Sequence, residues 1–144
     1  MGGEAVKMKR FFAHLKQRIR LTRNYRVGVA AEGMFDLKWS ASEKKVARCA
    51  FDGALAAAIA RVMTELKRRT SSAESASDLW AIEDYLREAR KEIGQMFDYR
   101  YSQLPFVFAW AIHEGHMNEE SLAGLSEDKL QAIRSLADSL AARQ

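Results

Sequence analysis

One cysteine, one proline and eight glycines are spread over 144 residues. The lone thiol, Cys49, excludes a disulfide scaffold and a cysteine-built zinc site, and it suits a reducing compartment. So little proline and glycine argues against a loop-rich all-β design. No apolar run approaches the roughly 18 residues that a membrane-spanning helix needs. The N-terminus is too basic, and its apolar stretch too short, for a secretory signal. A glycine-rich phosphate loop and a nucleophile–base pairing are both missing, so an enzyme is not expected and no cofactor is implied. What is present is the balance of a globular domain, 48% hydrophobic and 29% charged.

Charge divides the chain. Residues 1–33 carry eight basic side chains against Glu4 and Glu32, a net +6, whereas residues 34–144 are −2. The overall +4 therefore belongs to a leader, and nucleic-acid binding does not follow from it. Within the leader Met8, Phe11, Phe12, Leu15 and Ile19 recur at steps of three and four, the pattern of a basic amphipathic helix. Such a segment fits peripheral contact with an anionic membrane, phosphate contact or transit-like targeting. The plainer readings are a disordered or frayed tail, or upstream sequence ahead of a start at Met34.

The body reads as all-α. Ser40-x-x-Glu43 is a capping box, and Phe51, Leu55, Ala58, Val62 and Leu66 then form one apolar face of a helix over about 41–69. A second, small face (Ala50, Gly53, Ala54, Ala57) invites close approach by another helix. After a serine-rich turn from Thr70 to Ser77, Ser75-x-x-Asp78 starts a second helix. Its seam is Leu79, Ile82, Leu86, Ala89, Ile93 and Phe97, and nothing breaks it before the Tyr99–Gln103 region. The run Leu104–Ile112 is apolar on all sides, which predicts a buried helix with Pro105 in its first turn and Gly115 as its stop. Asn118 can cap a short helix over Glu119–Ala123. Ser126 caps a last one, striped by Leu130, Ile133, Leu136, Ala137 and Leu140.

The expected architecture is a long antiparallel helical hairpin, or stalk, over about 41–101, with a small C-terminal helical head over about 104–142. Residues 34–144 form a single domain behind the 1–33 extension. The head is too small to cover the whole hairpin, so part of its seam stays exposed unless a second copy covers it, which predicts a homodimer.

Candidate sites are few. His113, Glu114 and His116 lack the spacing that sets two imidazoles one helical turn apart, so no metal site is expected. Cys49 reads as small core or interface packing. Trp80, Asp84, Arg87 and Lys91 follow at steps of four, three and four beside the seam, with Glu83 and Arg90 at the margin. An exposed tryptophan among alternating charges has the make-up of a protein-docking hot spot, weighed against an ordinary solvated face. Asp84 and Arg90 lie about 120° apart round the helix and cannot pair within it, so any pairing is expected across a dimer. Asp98–Gln103 reads as the joint between hairpin and head.

An ordered set of stretches carries a resemblance. It comprises Trp39-Ser40 with Ala47 to Phe51, Asp78-Leu79-Trp80, Asp84-Tyr85-Leu86, Arg90-Lys91-Glu92-Ile93, Tyr99-Arg100-Tyr101-Ser102-Gln103-Leu104, Phe106-Val107-Phe108, and Gly124-Leu125-Ser126-Glu127-Asp128-Lys129. Over about residues 38–140 the chain resembles the fluorescence recovery protein family of cyanobacteria. The resemblance implies an all-helical dimer with a hairpin stalk and helical head, non-enzymatic and cytoplasmic, peripheral to a thylakoid or inner membrane at most. It implies binding of photoactivated orange carotenoid protein, or a related carotenoid-binding domain, and faster return to the resting form, which ends phycobilisome quenching.

By position, Trp80, Asp84 and Arg90 match the family's functional patch, Leu79 a dimer position and Phe106 a head position linked to activity. The expected partner surface is therefore Trp80, Glu83, Asp84, Arg87, Arg90 and Phe106, and the expected dimer interface Leu79, Ile82, Leu86 and Ile93. Three positions depart from the family: Glu83 stands where a histidine is common, Ala132 where a lysine occurs, and Pro105 replaces an aliphatic residue. These departures keep open a divergent interaction module with another partner, in a host lacking phycobilisomes.

Overall fold

The computed structural model describes residues 37–142, and the expectations for residues 1–33 lie outside the described residues. The described residues form four α-helices and one 3₁₀ turn. Among the described residues there is no strand, and an isolated bridge joins Ala123 and Leu125.

Helix α1 runs Ala41–Ser72 and starts on the expected capping box. The Glu43 N–H donates to Ser40 Oγ at 3.2 Å, and the Ser40 N–H donates to Glu43 Oε1 at 3.1 Å. The helix outlasts its expected end at 69. The hydroxyls of Thr70, Ser71 and Ser72 donate to the carbonyls of Leu66, Lys67 and Arg68, so side chains that usually favour turns bond within the helix instead. The connection shrinks to residues 73–75, and Ser75 with Asp78 forms a second capping box for α2, Ala76–Met96. The two helices rise about 48 and 32 Å from 32 and 21 residues. They run antiparallel: the Arg69 guanidinium lies 4.3 Å from the Tyr85 ring, while at the far end Phe51 and Phe97 meet at 5.4 Å.

Helix α2 stops at Met96, short of the expected Tyr99–Gln103 region. At Phe97 the backbone leaves the helix, and the Phe97 and Tyr99 rings pack edge-on against Phe51. The ring contacts run on from Phe97 to Trp110 and His116 on one side, and from Tyr99 to Tyr101 and Trp39 on the other. Arg48 and Lys44 cover Tyr99 and Tyr101. This stack is the joint between stalk and head expected of the Asp98–Gln103 segment, and edge-on rings each add stabilisation beyond their buried area.

The head comprises α3 (Leu104–His113), a 3₁₀ turn (Glu119–Leu122) and α4 (Glu127–Ala141). As its composition predicts, α3 is buried nearly all round, with Pro105 in its first turn. Leu104, Phe108, Leu122 and Ile133 are the largest fully buried side chains apart from Pro105, and they come from all three elements of the head. Gly115 ends α3 with φ +76°. Gly124 has φ +106°, and a Cβ there would stand 3.0 Å from Val46 Cγ2, so this loop needs glycine for both conformation and space. Of the α4 stripe, Ile133 is buried and Leu130, Leu136, Ala137 and Leu140 are half-buried.

The small face of α1 is covered in part: Ala50 and Ala54 are buried, and with Gly53 they border an open cleft whose other wall is the loop Gly115–Asn118 with Ser121. Gly53 is exposed, with nothing within 4 Å of a Cβ placed on it. Cys49 also lies at this cleft, exposed rather than in the core.

Candidate functional site

The Ser75–Asp78 box sets the first turn of α2 and so fixes where its side chains point. The Asp78 carboxylate accepts the N–H groups of Glu74 at 2.9 Å and Ser75 at 3.0 Å. Those bonds, the Glu74 N–H foremost, hold it below its ordinary range. One turn on, Trp80 projects into solvent with 64% of its surface exposed. Below it the Arg87 guanidinium lies between two carboxylates, 2.5 Å from Glu83 and 3.5 Å from Asp84. All three side chains are more than half exposed, so these pairs contribute little to stability. Among the described residues Arg90 forms no ion pair; Asp84 turns to Arg87 instead, in keeping with the angular separation of Asp84 and Arg90.

The expected dimer positions lie alongside. Leu79 is 56% exposed and Leu86 37%, while Ile82 and Ile93 are half-buried. Ile59 and Met63 of α1 are exposed as well, so both helices of the stalk carry uncovered apolar side chains. Phe106 stands apart. It is half-buried on α3, beyond the end of α2 where Phe97 meets Trp110, about 25 Å of helix from Trp80. One chain thus brings Glu83, Asp84 and Arg87 into contact, carries Trp80 and Arg90 on the same helix, and sets Phe106 apart.

At the other candidate cluster, Glu114 and His116 take different partners. Arg61 takes both the Glu114 carbonyl, at 2.6 Å, and its carboxylate, at 3.8 Å. His116 packs on Trp110 at 5.1 Å, and burial, with Arg61 nearby, lowers its pKa to about 4. Among the described residues no three His, Cys, Asp or Glu side chains converge to hold a metal ion.

Reading the chain alone missed a polar node where the two ends of the domain meet. Glu43 and Lys129, 2.9 Å apart, are buried together between the starts of α1 and α4. The capping box marked Glu43 as a local feature, but nothing in the spacing linked it to a lysine 86 positions later.

Fold and surface together define an all-α stalk-and-head protein that displays a tryptophan-centred helix face. Residues 39–137 match the family model described as photoprotection regulator fluorescence recovery protein, and the chain belongs to that family. The fluorescence recovery protein of Synechocystis sp. PCC 6803 is 32% identical over 99 residues, 69% of this chain and 91% of that protein. The solved structure of the Fremyella diplosiphon fluorescence recovery protein superimposes with a TM-score of 0.67 at 35% identity, covering 70% of this chain and 99% of that one. The Synechocystis structure gives 0.66 at 32%, with the same coverage. Membership places the chain among regulators of photoprotection. No helix among the described residues is long and apolar enough to cross a membrane.

Proposed function

We propose that this chain is a non-enzymatic accessory that binds photoactivated orange carotenoid protein and accelerates its return to the resting orange form, ending phycobilisome quenching. The observation that carries the reading is Trp80, exposed on α2 amid Asp84, Arg87 and Arg90 in a chain of this family. Large amphipathic side chains with directed charges at their edge are the usual composition of a docking hot spot. Acceleration requires the accessory to favour the relaxing client along the path between its two states; tight binding to the resting state alone would only trap it.

In this proposal the working unit is residues 34–144, acting in the cytoplasm as a homodimer. Leu79, Ile82, Leu86 and Ile93 form the interface, and Phe106 supplies a second contact from the head. The uncovered apolar side chains of the stalk support the dimer, since a second copy would remove them from water. The direct test is optical: photoconverted orange carotenoid protein is mixed with the chain, with and without residues 1–33, and the red-to-orange decay is followed. An unchanged decay overturns the proposal.

A second reading has one observation in its favour. Glu83 engages Arg87 at 2.5 Å, so a cation of the docking face is neutralised within the chain. That arrangement suits a divergent module whose partner presents less negative charge, in a host lacking phycobilisomes. In that case the optical assay is silent, and a pull-down with Trp80 intact retains a partner that Trp80→Ala loses.

A further inference from the structure

Two helix N-termini converge on one carboxylate. Glu43 accepts the N–H of Ser40, at the start of α1, through Oε1 at 3.1 Å, and the N–H of Ser126, at the start of α4, through Oε2 at 3.0 Å. Lys129 places its Nζ 2.9 Å from that same Oε2. The ammonium also donates to the Lys38 carbonyl at 2.7 Å and to Ser126 Oγ at 3.2 Å, and lies 5.1 Å from the centre of the Trp39 ring. Ser126 is the N-cap of α4, yet its hydroxyl makes no capping bond. It accepts from Lys129, and Glu43 takes over the start of that helix. The Lys129 side chain is 5% exposed and that of Glu43 11%.

A lysine so enclosed is an expensive way to hold two helices together, because desolvating the pair offsets most of their attraction. An apolar pair would pack as tightly but could slide. The ammonium has three directed donors, and here they meet three fixed acceptors on two sides of a joint. A carboxylate shared by two helix N-termini, each carrying partial positive charge, further fixes their mutual position.

We propose that Glu43 and Lys129 are positioning residues. They lock the head onto the stalk in one orientation, so that Phe106 and the Trp80 face reach the client as a rigid unit. The docking half rests on the function proposed above; the orientation half does not.

The test uses the full chain with spin labels on Cys49 of α1 and on an introduced cysteine, Ser135→Cys, of α4. Labelled chain is diluted into excess unlabelled Cys49→Ser chain, so that distances within one protomer dominate. The variant is E43Q/K129M, which removes both charges and leaves an acceptor at position 43. The expected result is an inter-label distance distribution at least about twice as wide as that of the native pair. Melting should stay within a few degrees, and acceleration of recovery should fall about tenfold.

A distribution as narrow as the native one overturns the proposal whatever the rate. A broadened one with an unchanged rate overturns it too. If E43Q/K129M does not fold, E43Q/K129Q, which likewise leaves no unpaired charge buried, is read in the same way. Unfolding of both variants also overturns it, since the node would then hold the fold itself. If the native chain fails to accelerate recovery, the proposed function falls, and the distance distribution decides the orientation half alone.

Discussion

Arg61, in the middle of α1, donates from Nη2 to the main-chain carbonyl of Glu114 at 2.6 Å, bridging stalk and head just past the end of α3. A cation at a helix C-terminus meets carbonyls that no residue within the helix can satisfy. The Arg61 side chain is about half exposed, so the bond is discounted for solvent. Arg61→Ala is expected to cost about 1 kcal/mol, a fall of about 4 °C in Tm for a domain of this size, read by thermal melting. An unchanged Tm removes Arg61 from the joint.

Trp80 carries most of the docking face in the reading advanced above. Because its side chain is largely in water, Trp80→Ala should leave melting and oligomeric state unchanged. Binding to the photoconverted client should weaken by about 2 kcal/mol or more, roughly 30-fold in Kd, measured by titration. A Kd within twofold of the native value would falsify the hot-spot assignment.

Glu83 sets the charge of the same face by engaging Arg87. Glu83→His removes the nearer of the two carboxylates on Arg87, leaves Asp84 at 3.5 Å, and introduces the histidine that the family resemblance implies there. Stability should move by less than about 0.5 kcal/mol, since the pair is mostly exposed. Recovery of orange carotenoid protein should speed up. Slower recovery would instead favour the reading in which the partner differs.

The apolar strip on the stalk leads to a prediction on assembly. Light scattering at micromolar concentration should give about twice the 16.3 kDa chain mass. Leu79→Glu combined with Leu86→Glu places two carboxylates in the strip, and the mass should halve while the helical signal persists. A native chain that scatters as a single subunit sinks the dimer.

Acid should weaken the fold in two stages. His116 is held neutral, with its pKa lowered from 6.5 to about 4 by burial first and Arg61 second. The unfolded chain takes up that proton sooner, so this contribution is complete above pH 6.5 and is lost as pH falls toward 4. Glu43 is lowered from 4.5 to about 2, chiefly by its bond from Lys129, and Glu65 likewise, chiefly by Arg68. Their contribution is present above pH 4.5 and disappears between 4.5 and 2. Urea midpoints measured across this range should show both stages. His116→Gln should flatten the first and Glu43→Gln should reduce the second.

Much of this was legible in the chain because it is local. Ser40 with Glu43 and Ser75 with Asp78 announce two helix starts within four residues each, and the apolar steps from Phe51 to Leu66 and from Leu79 to Phe97 mark two faces. The uniformly apolar Leu104–Ile112 run foretold a buried helix for the same reason. Helical boundaries were less legible where side chains had a choice. Thr70, Ser71 and Ser72 can open a turn or bond back along a helix, and Phe97 could have stayed on the seam.

Local spacing determined that this protein is a helical hairpin with a small apolar head, and that Trp80 stands beside the seam rather than in it. Hydrogen bonding within a turn and the 3.6-residue period act over a handful of positions, so a single chain displays them directly. Tertiary structure alone decided that Phe97 and Tyr99 leave the helix to stack on Phe51, that Arg61 reaches Glu114, and that Glu43 meets Lys129. Those partners lie tens of residues apart, and only the return of the chain across its own joint brings them within bonding distance.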